Sequence, residues 1–151
     1  MKFIETIILF RKGEADMIKL YTQTSCHSSL AARQWLSAHD IAFEEKNFST
    51  DLPTVTELKH ILSLTENGLD DIISKRSKYY SEVAEQLPQM KLNDALKLLS
   101  THPKLLRRPI IVSANKIQIG FNADDIRQFI PRAIRRMKFD VMLNRYALGE
   151  I

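Results

Sequence analysis

The sequence predicts an α/β fold, a mixed β-sheet with a helical insertion between a β-α-β half and a β-β-α half. Three observations predict it. A strand, a polar turn, a helix and a second strand follow one another between residues 17 and 49, apolar residues then recur at three and four over residues 50–102, and β-branched strands return beyond Pro103. With 151 residues, 44% apolar and 26% charged, four glycines and five prolines, the chain has the composition of one ordinary globular domain. Disorder is not indicated, and no repeat or low-complexity stretch is present.

Residues 1–16 (MKFIETIILFRKGEAD) hold a brief apolar run from Ile7 to Phe10, too short to cross a membrane and followed by no small-residue cleavage site. Lys12-Gly13-Glu14 can be encoded by a purine run like a bacterial ribosome-binding site. Residues 1–16 are therefore read as an upstream-start extension and 17–151 as the working domain, a short extra strand being the alternative. Met17 opens the first convincing strand, with Ile18, Leu20 and Tyr21, and Thr22 to Ser25 form a polar turn. After Cys26, Leu30, Ala31, Trp35 and Leu36 fall at helical spacing. His39-Asp40 turns the chain into Ile41 to Asn47, where Ile41 and Phe43 alternate with polar neighbours. Two strands joined through a helix lie parallel, which leaves Cys26 at the mouth of the sheet.

The insertion, 50–102, begins after Ser49-Thr50-Asp51. Pro53 and Thr54 start its first helix (Val55, Leu58, Ile61, Leu62), Gly68 breaks this from a second (Ile72, Ile73), and Leu87-Pro88 precedes the last (Leu92, Leu96, Leu98, Leu99). The core resumes over 103–131. Pro109 to Val112 and Ile117 to Ile119 flank the turn Ala114-Asn115-Lys116 as a β-hairpin. A helix follows with Asn122 as N-cap, Asp124 and Asp125 in its first turn, a buried face of Ile126, Phe129 and Ile130, and Pro131 as its end. The tail, 132–151, carries Arg132, Arg135, Arg136 and Lys138 and reads as an exposed helix.

A free cysteine is most often a small buried hydrophobe. Cys26 has polar flanks in Ser25, Ser28 and Ser29, and a place where unpaired N–H groups and the positive helix end favour a thiolate. Thiols so placed fall from about 8.5 to roughly 3.5–7.5. A single cysteine excludes an internal disulfide and points to the cytoplasm. A formal charge of +4 suits an acidic partner such as nucleic acid or an acidic protein surface. His39, His60 and His102 have no carboxylate or cysteine at ligand spacing, so neither metal nor cofactor is expected. Trp35 reads as core packing, and Tyr79-Tyr80 as a half-buried helix face.

Three stretches are familiar: LYTQTSCHSS, LTENGLDDIISKRSKYY, and HPKLLRRPIIV followed by IGFN. With the element order they resemble the arsenate-reductase-like (ArsC/Spx) family of thioredoxin-type fold. Within it the likeness is closest to a branch of bacterial transcriptional regulators that bind RNA polymerase. It runs from Met17 almost to the end. It implies that Pro109 is a cis-proline facing the cysteine, with the Arg108 backbone turned towards the thiol.

The family's reductases use the cysteine as nucleophile and a set of arginines to hold the oxyanion. Arg76 and Arg108 match two of these. Gly120-Phe121-Asn122 replaces the third and is similar to the Gly-Tyr-Asn of the regulators, and Thr22 replaces a histidine expected near the nucleophile. Each missing charge-assisted bond forfeits about 1.5–3 kcal/mol. A glutathione- and glutaredoxin-dependent arsenate reductase using Cys26 is accordingly the second reading; a non-enzymatic regulator is the first.

In the regulators Gly68 matches the contact with the C-terminal domain of the polymerase α subunit. The resemblance implies close backbone approach there, while a helix C-cap is the plain alternative. Arg76 and Lys78 match basic residues near polymerase and promoter DNA, or else are a solvated helix face. DNA would then be reached through the polymerase, since no base-reading motif is present. An ATP-dependent protease with its adaptor is a further implied partner, and no membrane is. The regulators carry Cys-x-x-Cys as an oxidation switch, whereas this chain has Cys26-His27-Ser28-Ser29. Oxidation here ends in sulfenic acid or a mixed disulfide, with Ser29 in place of the second thiol and expected to donate to a thiolate. Monothiol chemistry of the Cys-x-x-Ser glutaredoxin kind is a third, weaker reading.

Overall fold

The computed structural model describes residues 17–150, so the extension read at residues 1–16 lies outside the described residues. β1 (Ile18–Thr22), α1 (His27–Ala38) and β2 (Phe43–Asn47) form the expected β-α-β unit, with β2 parallel to β1, Ile18 opposite Phe43 and Thr22 opposite Asn47. β3 (Ile110–Val112) lies antiparallel on the other side of β1, and β4 (Ile117–Ile119) follows it, giving the order β2-β1-β3-β4.

Because side chains alternate along a strand, the sheet feeds two apolar layers. Ile18, Leu20 and Ile111 pack with Ala32 and Leu36 of α1 and with Ile126 and Phe129. Tyr21, Ile110 and Val112 pack on the opposite side with α2 (Val55–Ser63), α3 (Leu69–Ile72) and α5 (Leu92–Thr101), whose Leu58, Ile61, Ile72, Leu96 and Leu99 are wholly buried. Each such side chain contributes roughly 1.5–3 kcal/mol. The insertion is thereby bound to the sheet by a shared core. The short α4 (Lys78–Val83) buries no residue fully.

Helix starts follow local chemistry. Thr54 caps α2 through a capping box: its hydroxyl accepts from Glu57 N–H at 3.1 Å while the Glu57 carboxylate accepts from Thr54 N–H at 3.1 Å. Burial alone would raise the Glu57 carboxyl. The bond from Lys46 and those from Thr54 outweigh it, so the carboxyl lies below its ordinary range. On β2, Glu45 is also held low, chiefly by the bond from Arg33 of α1 and further by Thr22 Oγ1 at 2.9 Å.

Four expectations are corrected. Leu30 and Leu92 are exposed: α1 turns Ser29, Ala32 and Leu36 inward instead, and Leu92 sits in the solvated first turn of α5. The segment after β4 is a 3-10 turn, Asp125–Phe129, with Asp124 at its cap; five residues between two tight ends close a 3-10 turn and not an α-helix. Asn122 lies ahead of it, its Oδ1 accepting from Asp124 and Asp125 N–H at 2.8 and 3.2 Å. Pro131 ends that turn, as expected, and also caps α6 (Arg132–Ala147), whose side chains are exposed or half-buried. Gly68 is not the C-cap of α2, which is Leu64; it precedes α3 with φ +68°. Among the described residues no helix is long and apolar enough to cross a membrane.

Candidate functional site

β1 delivers the chain to the end of the sheet, and the turn Gln23 to Ser25 reverses it into α1. Ser25 takes φ +59°, a left-handed conformation that costs a non-glycine residue about 1–2 kcal/mol. Cys26 is the N-cap of α1 and is half-buried, so the sulfur is at the rim and not in the core. Its Sγ accepts from Ser29 N–H at 3.4 Å. This is the backbone of the residue standing where the family resemblance implies a second thiol. The Ser29 hydroxyl, by contrast, is buried without a hydrogen-bond partner, so the expected side-chain donation to sulfur is corrected to a backbone one.

The Arg108-Pro109 peptide is cis, as the resemblance implies. Arg108 itself is tied down: its Nη1 donates to Gln23 Oε1 at 2.9 Å, and Gln23 Nε2 donates to Pro103 O at 2.8 Å. Gln23 is 5% exposed and joins the loop before Cys26 to the segment before Pro109 across 80 or more residues of sequence. Sequence reasoning missed it. A glutamine inside a polar turn carries no signal of its own, because all three of its partners are remote.

An isolated antiparallel bridge, Ile73 opposite Leu106, carries the insertion to the same rim: Ser74 N–H meets Leu105 O at 2.7 Å and Arg107 N–H meets Ile72 O at 2.8 Å. The segments bearing Arg76 and Arg108 are thus brought side by side. Neither guanidinium donates to the sulfur, and Arg76 is exposed with no ion pair or side-chain hydrogen bond among the described residues. Lys78, opening α4, is likewise exposed and unpaired. At Gly68 a Cβ would meet nothing within 4 Å, so the glycine answers to its positive φ and to open space above it, not to crowding inside this chain. Just beyond, Asp71 accepts from Asn67 and Glu66 N–H, bonds that hold its carboxyl low and fix the loop around Gly68.

At the position of the absent third arginine, Gly120 N–H donates to Pro109 O at 2.8 Å and Asn122 Oδ1 is occupied by Asp124 and Asp125 N–H. The histidines have local roles. His39 stacks on Trp35 with centroids 3.9 Å apart, and His60 meets Ser113 O at 3.2 Å. Among the described residues no three potential metal ligands come together.

The ArsC family model matches residues 21–129. The chain is 44% identical over 119 residues to the global transcriptional regulator Spx of Bacillus subtilis, spanning 79% of this chain and 91% of that protein. To global transcriptional regulator Spx 1 of Lactococcus lactis it is 48% identical over 120 residues, 80% and 94% of the two chains. Among solved structures, an ArsC family related protein of Bacteroides fragilis superposes with a TM-score of 0.66 at 24% identity, covering 77% of this chain and 99% of that one. An arsenate reductase of Vibrio cholerae does so at 0.64 and 22%, covering 78% and 98%, which shows a shared thioredoxin-like fold. The chain belongs to the ArsC family and, within it, to the branch of the Spx global transcriptional regulators.

Proposed function

We propose that this chain regulates transcription by binding RNA polymerase through the C-terminal domain of its α subunit, without catalysing a reaction. The observation that carries the reading is the surface from Gly68 to Lys78. It presents an open-faced glycine and two exposed basic side chains that, among the described residues, no other group engages, as a docking surface requires. Promoter DNA would be approached through the assembled polymerase, with Arg76 and Lys78 adding salt-dependent attraction to phosphate. The cytoplasm is the compartment this role requires, and turnover by an ATP-dependent protease with its adaptor belongs to the same reading.

Support against the enzyme comes from the rim. A reductase needs several guanidiniums free to grip an oxyanion, whereas Arg108 is already engaged by Gln23 and Asn122 stands committed near the third position. Cys26 remains half-exposed and can form a sulfenic acid or a mixed disulfide, so thiol stress can reach the regulator without an internal bond.

The test is capture of the isolated α C-terminal domain by wild type, Gly68→Ala and Gly68→Arg. Any side chain at φ +68° is strained, so alanine reports the backbone and the further loss in arginine reports docking. Gly68→Arg should lose binding at least tenfold beyond Gly68→Ala. Equal binding by all three overturns the reading, as does arsenate turnover with glutathione and glutaredoxin that disappears in Cys26→Ser.

A further inference from the structure

We infer that the free edge of β4 is a self-pairing surface, joining two copies of this chain in an antiparallel dimer about a two-fold axis at Gln118. The hairpin register leads to it. Ser113 N–H bonds Lys116 O and Gly120 N–H bonds Pro109 O, so Ile111 and Gln118 form the hydrogen-bonded pair between them. The backbone groups of Ile117 and Ile119 therefore point away from β3. β4 ends the sheet, and among the described residues Ile117 N–H, Ile119 N–H and Ile119 O meet no partner. Ile117 O has only a long bond from Gln128 Nε2, at 3.4 Å. An edge of this kind is a template for another strand.

Three features favour a second copy as that strand. Centred on Gln118, two β4 strands set Ile117 of one copy opposite Ile119 of the other, and every outward N–H and C=O then has a mate. The half-buried isoleucines meet as two cross-strand pairs, extending an apolar layer already on that face. On the other face the two Gln118 side chains become direct neighbours. There Gln118 Nε2 donates to Asn122 O at 3.1 Å, which fixes the side chain against the segment that follows β4. A groove of about 790 Å³ runs beside the strand and carries both signs, Asp124 and Asp125 with Arg127 and Arg135, so it is complementary to its own rotated image. With three residues per strand the dimer is expected to be weak and concentration-dependent.

Light scattering on the full chain should give a mass rising with concentration from 17.5 kDa towards twice that. Of the backbone groups Ile119→Pro removes only an outward donor, together with the half-buried isoleucine side chain, and it should hold the mass at the monomer value. In a Cys26→Ser background, Gln118→Cys should oxidise to a covalent dimer without denaturant. Non-hydrogen-bonded antiparallel neighbours lie about 4.5 Å apart at Cα, within disulfide reach. This variant decides the matter if the proline form fails to fold. A monomer at every concentration overturns the inference, as does a dimer that neither responds to Ile119→Pro nor cross-links through position 118. Protection of the Ile119 amide in a strictly monomeric protein also overturns it, because another strand then holds the edge.

Discussion

Positive charge is handled in opposite ways at the rim of the sheet and on the outer surface of the insertion. At the rim, Arg108 is fixed by Gln23, whose amide is itself anchored on the Pro103 carbonyl, so the guanidinium belongs to the fold. On the insertion, Arg76 and Lys78 carry the same charge with no partner among the described residues, a few residues beyond the bridge that fastens Ile73 to Leu106. A charge already bonded adds to stability and is less available to a ligand. A charge left in solvent adds little to stability but can steer and grip another molecule. The contrast separates residues that build the protein from residues that it offers.

The largest effect tests whether the two regions are one cooperative body. Leu96→Ala, in the core shared by insertion and sheet, should cost about 2–5 kcal/mol. Unfolding followed by far-UV circular dichroism should coincide with Trp35 fluorescence, although Trp35 belongs to the opposite layer. Separate transitions would break the comparison by making the insertion an independent unit. Next comes Gln23→Ala, which strands Arg108 and two backbone carbonyls and should cost about 1–3 kcal/mol in urea denaturation. A cost near zero would mean that the rim is no more built in than the insertion surface.

Acid sharpens the same contrast. Glu45 and Glu57 are held below their ordinary value of 4.5 in the folded state, so their contribution is complete above that pH. It is lost as pH falls through their lower folded values. Glu45→Gln should flatten the acid limb of the stability curve, measured by thermal melts. An unchanged limb would remove the Arg33–Glu45 link between α1 and β2 from the account. The smallest effects belong to the insertion surface: Arg76→Ala and Lys78→Ala should each change stability by less than about 0.5 kcal/mol. If the proposed docking on polymerase holds, they should nevertheless weaken that binding and flatten its salt dependence.

Local chemistry explains what could be read beforehand. The strand, turn and helix around Cys26, the start of α2 at Pro53-Thr54 and the hairpin at Pro109 are each written in neighbouring residues, and the cis bond came from a family resemblance. Gln23 could not be read, because its three partners are 80 or more residues away. Nor could the unpaired Ser29 hydroxyl, since serine three residues into a helix reads as solvated while the sheet lies against that face. Leu30 misled by being apolar at helical spacing. Leu36 packs as expected, but the buried stripe reaches it through Ser29 and Ala32, and Ser29 takes the place of a larger side chain. The 3-10 turn at Asp125–Phe129 shares its apolar spacing with a short helix, so only the hydrogen bonds tell them apart.

The pairing of β1 with β3 sets a schedule for synthesis. Residues 19–21 and 110–112 become neighbours only after some ninety residues between them have been made. Until then the first β-α-β unit has one side of β1 open. A nascent chain must shelter that half-finished sheet through the whole production of the insertion, so the tightest step of folding falls late in translation.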